Sequence, residues 1–275
     1  MEGVHSSHAH AAGGLETALP LPVLAAAVLY VLLARRRTRE PRGWSPWRTA
    51  SFLGGSALLA AALVPQLSPF PGGSFAGHMY QHLLIGMYAP LGLVLGAPVT
   101  LLLRSLSRRH GRFIGRALRS APLGILAHPL AGLVLNLGGL ALLYLTPLYS
   151  ASVQHPAVHQ LVHLHFLAAG YLFAHSIAGP DPAPHRPPVP ARLVILGVAI
   201  AGHAVLAQLL YAGALVHVAA GPADLRAGAD LMYYAGDIAE LLLALAMVST
   251  WRPQRTQARP KKRPLRSRLR AIILT

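Results

Sequence analysis

Two pairs of histidines are the residues of this chain best placed to do chemistry. His78 and His82 are four residues apart, and so are His159 and His163. On a helix, positions i and i+4 share a face. Two imidazoles on one face, at the mouth of an apolar helix, can chelate one soft or borderline metal ion. Acidic groups follow further along the chain. Asp230 opens an apolar run, Asp237 sits about 10 Å deeper by helical rise, and Glu240 lies three residues on with a similar facing.

The donor set narrows the choice of metal. There is no cysteine, so neither a disulfide nor a thiolate ligand is available. Imidazole serves zinc, copper, iron and nickel, and a thioether favours Cu(I). Met79 stands between the paired histidines and Met87 about one turn beyond His82, which leans towards copper. Zinc remains the alternative. An open zinc site with Asp237 or Asp230 as general base would give a membrane-embedded hydrolase. Facing histidines can also ligate haem, although haem usually takes ligands deeper in a bundle. The single histidines His110, His128, His155, His175 and His185, together with His165, read as structural. His203 falls near the middle of an apolar run as a partner for the carboxylates, and His217 at the end of one.

The elements that carry these groups are membrane-length. The chain of 275 residues is 54% hydrophobic and 12% charged, about half the charge of a soluble domain. Apolar runs of the length that crosses a bilayer recur at 17–34, 49–65, 78–103, 124–145, 157–178, 191–216 and 230–250. The expected fold is therefore all-α: a polytopic membrane protein of seven transmembrane helices over residues 17–250. A mobile tail, 1–16, precedes it with His5, His8 and His10, and a basic tail, 251–275, follows. No basic n-region opens the chain, so no cleaved signal peptide is expected.

A formal net charge of +16 raises the question of nucleic acid. The basic residues answer it, because they sit in short blocks between apolar runs, as orientation signals do. In a seven-span chain every Lys and Arg except Arg226 falls on one side. The positive-inside rule then puts the N-terminus outside and the C-terminus in the cytoplasm. The segment with Arg104, Arg108, Arg109, Arg112, Arg116 and Arg119 has the composition of an interfacial amphipathic helix. The basic C-terminal tail suits anionic membrane lipid. With this topology His78, His82, His159, His163 and Asp230 all start from the outer face.

Several motifs resemble one family. His78-Met79-x-x-His82, Ala89-Pro90-Leu91 and Leu95-Gly96-Ala97-Pro98 are similar to the signature of the CtaG-type assembly factors of caa-type cytochrome c oxidases. His128-Pro129, Pro147-x-Tyr149 and His159-x-x-x-His163 extend the likeness over 49–250. The resemblance implies an integral membrane protein of the bacterial plasma membrane, a metallochaperone and not an enzyme. Such a protein partners the subunits of a haem-copper oxidase and delivers copper to them. It also implies metal contact at His78, His82, His159 and His163, and at Asp230. The expected mechanism is binding of copper by neutral imidazoles at the outer mouth of the bundle, with release on protonation. The sequence leaves open the oligomeric state, a homo-oligomer included.

Overall fold

A computed structural model describes residues 20–41, 43–183 and 186–249. The two expected tails, with His5, His8 and His10, lie outside these residues, as does His185. The secondary structure among the described residues is helical throughout. The helices are α1 (Pro20–Thr38), α2 (Pro46–Ala62), α3 (Phe75–Leu83), α4 (Ala89–Leu95), α5 (Pro98–Ser105), α6 (Arg108–Leu118) and α7 (Ala121–Leu126). They continue with α8 (Pro129–Tyr144), α9 (Leu148–Gln154), α10 (Pro156–Ala178), α11 (Val189–Ala212) and α12 (Pro222–Ser249). Proline stands in the first turn of α2, α5, α8, α10 and α11, where its missing N–H would have had no intrahelical partner.

Three helices, α10, α11 and α12, are long and apolar enough to cross a membrane on their own, and the number rises to five if each of two bent pairs is one span. The first pair is α3–α4 with α5, bent by 42°; the second is α8 with α9, bent by 77°. The expected first and second spans are less clear-cut by this measure. Within the described residues α1 ends on Arg35, Arg36 and Arg37, and α2 has 17 residues, the lower edge of what spans a hydrocarbon core.

The expected third span, 78–103, falls on the first bent pair and is not one straight rod. It begins earlier, at Phe75, and a π-helical turn, Leu84–Tyr88, joins α3 to α4. Pro90 supplies the reason. It has no N–H to donate, and its ring would press on the carbonyl four residues back, that of Gly86. One wider turn relieves both problems. The released Gly86 oxygen occupies the place where a Cβ of residue 170 would sit, 1.9 Å from it, so α10 packs there through Gly170. The rod then breaks at Ala97, whose left-handed φ of 52° swings the chain into α5.

Other boundaries also move. The expected loop 146–156 contains α9, folded back after Pro147. The fourth span starts at Pro129 and not at 124, with α7 a separate short helix. Helix α12 starts at Pro222, so Asp230 lies about two turns inside it and does not open it. Helix α6 stands apart, arginine-rich and with no buried residue.

The bundle is apolar outside as well as inside, as a lipid-facing protein must be. On α12 the exposed face carries Tyr234, Ile238, Leu241, Leu245 and Val248, while Met232, Ala239, Leu243 and Met247 are buried. Small residues let helices approach. A Cβ at Gly55 of α2 would lie 2.6 Å from the Leu93 nitrogen, and one at Gly92 would lie 2.8 Å from Gly55. Such contacts drive helix association where no hydrophobic effect is available.

Two carboxylates tie the ends of the bundle together. At one end Asp224 accepts hydrogen bonds from the Phe75 and Ala76 N–H groups, at 2.7 and 3.1 Å. At the other, Asp181 accepts from the Val99 and Thr100 N–H groups and from the Thr100 hydroxyl. Each satisfies the open donors of a helix start on a remote segment. The Asp181 end also holds Arg186, which donates to the Asp181 and His175 carbonyls, and Arg104 beside Glu40. We call it the arginine end and the other the histidine end. Asp181→Ala strands three donors and should cost about 1–3 kcal/mol, read as a lower unfolding temperature in detergent; Asp181→Asn, which keeps an acceptor oxygen, should lose less.

Candidate functional site

Helix α10 packs against the π turn and α4, and towards the histidine end α3, which lies along α12, faces it across a gap. Ser74 accepts from the Gly77 N–H and Asp224 holds the two N–H groups before it, so the first turn of α3 is fully tied down. His78 follows directly. Its ring lies against Phe75 and edge-on to Tyr149, with centroids 6.1 and 5.0 Å away. Across the gap, α10 presents His159, whose ring centroid is 6.5 Å from that of His78. His163 is one turn deeper, 4.2 Å from His159.

The fourth imidazole, His82, sits one turn below His78 and is 3% exposed. Its ring meets the edge of Phe166 at 4.4 Å, and its neighbours by charge are His203, His78 and His163. The structure thus brings His78, His159 and His163 together near the surface and aims His82 inward. Asp230 is exposed on α12 and Asp237 half-buried. Among the described residues, no three His, Asp or Glu side chains are grouped closely enough to hold one metal ion.

Nitrogen lone pairs are nevertheless available. Both ring nitrogens of His163 and Nδ1 of His82 are buried without a hydrogen-bond partner, a condition native interiors avoid. His78 is different, because its Nε2 is 3.2 Å from the Tyr144 hydroxyl. That hydroxyl has one proton and also reaches the Met79 sulfur at 3.9 Å. With the proton directed at sulfur, Tyr144 accepts from His78 Nε2–H, which leaves the Nδ1 lone pair free for an incoming ion. An open cavity of about 390 Å³ leads to the cluster, lined by His78, Gln81, Tyr149, His159 and Gln160 among others.

Tyr144, Tyr149 and Asp224 are the site residues that sequence reasoning missed. Tyr144 ends α8 and is fully buried; its carbonyl accepts from the His217 N–H at 2.8 Å. The motif Pro147-x-Tyr149 was the one visible signal. The other histidines fall where single histidines usually do. His165 contacts the Leu135 carbonyl, His128 accepts from the Leu130 N–H at the start of α8, and His110 pairs with Ser107.

Residues 28–254 match the cytochrome c oxidase caa3 assembly factor family. The chain belongs to that family. Membership and helices long and apolar enough to cross a membrane together indicate a membrane protein. Among curated proteins, it is 28% identical over 82% of its length to an uncharacterised protein of Mycobacterium leprae. It is 34% identical over 60% of its length to uncharacterised proteins of Mycobacterium bovis and Mycobacterium tuberculosis. The matched regions cover 37% of the first relative and 26% of the other two, so the chain spans little more than a third of their length at most. No solved structure matches it.

Tyr144→Phe tests how the imidazole cluster is held. It should leave the ring packing intact and strip His78 Nε2 of its partner. The expected cost is about 1–3 kcal/mol in chemical unfolding, with no loss of helix by circular dichroism.

Proposed function

We propose that this chain accepts copper at its histidine end and passes it to a haem-copper cytochrome c oxidase during assembly. The observation that carries the reading is His78 facing His159 and His163 at the foot of an open cavity, in a chain of an oxidase assembly family. With nitrogen–metal bonds of about 2 Å, two imidazoles sharing one ion put their ring centroids at most about 6.3 Å apart, so His78 and His159, at 6.5 Å, close slightly on binding. Copper here is cargo. A transfer site gains from few ligands and open access, since a closed four-ligand shell would hold the ion too well. His82 stands below as a further nitrogen on the same face of α3.

The orientation belongs to the same proposal. Counting α1, α2, the two bent pairs, α10, α11 and α12 gives seven crossings. The arginine-rich segments then face the cytoplasm, and the histidine end faces outward, where copper reaches an oxidase of the bacterial plasma membrane. Its partners are the oxidase subunits and the surrounding lipid.

Copper titration of the purified chain should show stoichiometric binding that the double variant His78→Ala/His159→Ala abolishes. Tyr144→Phe should weaken it by about 10–100-fold, the usual effect of losing a ligand's hydrogen-bond partner. Wild-type protein that binds no copper would end the reading. In the cell, deletion of the gene should lower oxidase activity, with partial recovery on added copper.

Because the chain has no native cysteine, single thiols report sidedness cleanly. Gln154→Cys at the histidine end should react with a membrane-impermeant maleimide in intact cells. Ser107→Cys at the arginine end should react only after lysis. The reverse pattern would overturn the orientation.

A further inference from the structure

Deeper in the bundle lies a second set of polar groups, none of them needed to bind copper at the mouth. His203 of α11 is 2% exposed and Glu240 of α12 is 5% exposed. Both ring nitrogens of His203 and the Oε2 atom of Glu240 lack any hydrogen-bond partner. Both side chains line a partly enclosed cavity of about 30 Å³, with Asn136 of α8 beside them. Its remaining wall is apolar or glycine, and includes Gly86 of the π turn and Gly170 of α10. That space admits about two water molecules.

The fold makes room for the ring on purpose. A Cβ on Gly236 would come within 2.2 Å of His203 Cε1, so only glycine at that position lets the imidazole lie against α12. No Lys or Arg lines the cavity. The nearest other titratable groups are His82 from α3, a charge neighbour of His203, and Asp237, a charge neighbour of Glu240 on the same helix; neither lines the cavity. Neither α8 nor α10 adds an ionisable group to the lining.

A carboxyl without a cation, an imidazole without a partner and a carboxamide around a water-sized space make a defined chemical set. One group can give a proton, one can take it, and the carboxamide offers both a donor and an acceptor to orient the guest. We propose that His203, Glu240 and Asn136 form an intramembrane site that binds water and exchanges a proton with it. Glu240 in its acid form donates to the water. His203 accepts from that water at one ring nitrogen and keeps a proton on the other. Ionisable groups at such depth are costly and are characteristic of proton relays.

The test uses the full chain in lipid vesicles and infrared difference spectroscopy. Wild-type protein at neutral pH should show the carbonyl stretch of a protonated carboxylic acid. The band should shift in D₂O, because the cavity is wet and the proton exchanges. Glu240→Gln, close in shape, should remove it, and His203→Asn should move it without removing it. N,N′-dicyclohexylcarbodiimide, which attacks protonated carboxyls in apolar settings, should label wild-type protein at Glu240.

Absence of the band in wild type, its survival in Glu240→Gln, or its failure to shift in D₂O would each overturn the proposal. Adding copper to His78→Ala/His159→Ala supplies a further check. Loss of the acid band there would make the deep groups a metal station and sink the proton reading. Neither His203 nor Glu240 enters the copper proposal as a ligand, so the two stand or fall separately.

Discussion

Hydrocarbon offers backbone groups nothing to bond with, and that constraint governs this molecule more than any single contact. Wherever a helix starts or breaks inside the bundle, something must take up the open donors. Asp224 does this for α3 and Asp181 for α5, each reaching across more than eighty positions of chain. The carboxylates are accordingly structural, and they sit at the two ends of the α3–α4 rod. Everything placed on that rod, His78 and His82 included, inherits its position from them.

The same constraint explains why a chain so poor in charge keeps the charges it has. Arg192 donates to the Ile177 carbonyl where α10 ends, and Arg186 covers the His175 carbonyl two residues earlier. Both take up open carbonyls in the last turn of α10. Burial, with Arg192 close by, lowers the affinity of the Arg186 guanidinium for its proton, and Asp181 opposes that effect. The arginine end is therefore a helix stop as well as a cluster of charge.

Local periodicity was legible in the sequence, and long-range pairing was not. The i, i+4 spacing announced that His78 and His82, and His159 and His163, each share a helix face, because helical geometry is a property of a few adjacent residues. That α10 meets the π turn, and so brings its histidines opposite His78, depends on Gly170 fitting over the Gly86 carbonyl, which no local pattern reveals. Tyr144 was read as the end of a span; its hydroxyl matters because a 77° bend brings α9 and Tyr149 back over α3. Asp224 looked like a loop residue near Arg226. Its real partner is the start of α3. His203 and Glu240 were visible as polar residues in apolar runs, but the cavity between them needed Gly236 and Asn136 from two helices.

The widened turn at Leu84–Tyr88 has a consequence for how the crossing is read. One surplus residue in the wider turn sets the following helix back by about 100° relative to uninterrupted winding. On an unbroken helix Leu91 would lie about 180° round from His82 and Val94 about 120°. Past the wider turn they lie about 80° and about 20° away, and all three are buried. The bulge absorbs a residue too many, so that a chemical face and a packing face stay on one side of the same rod.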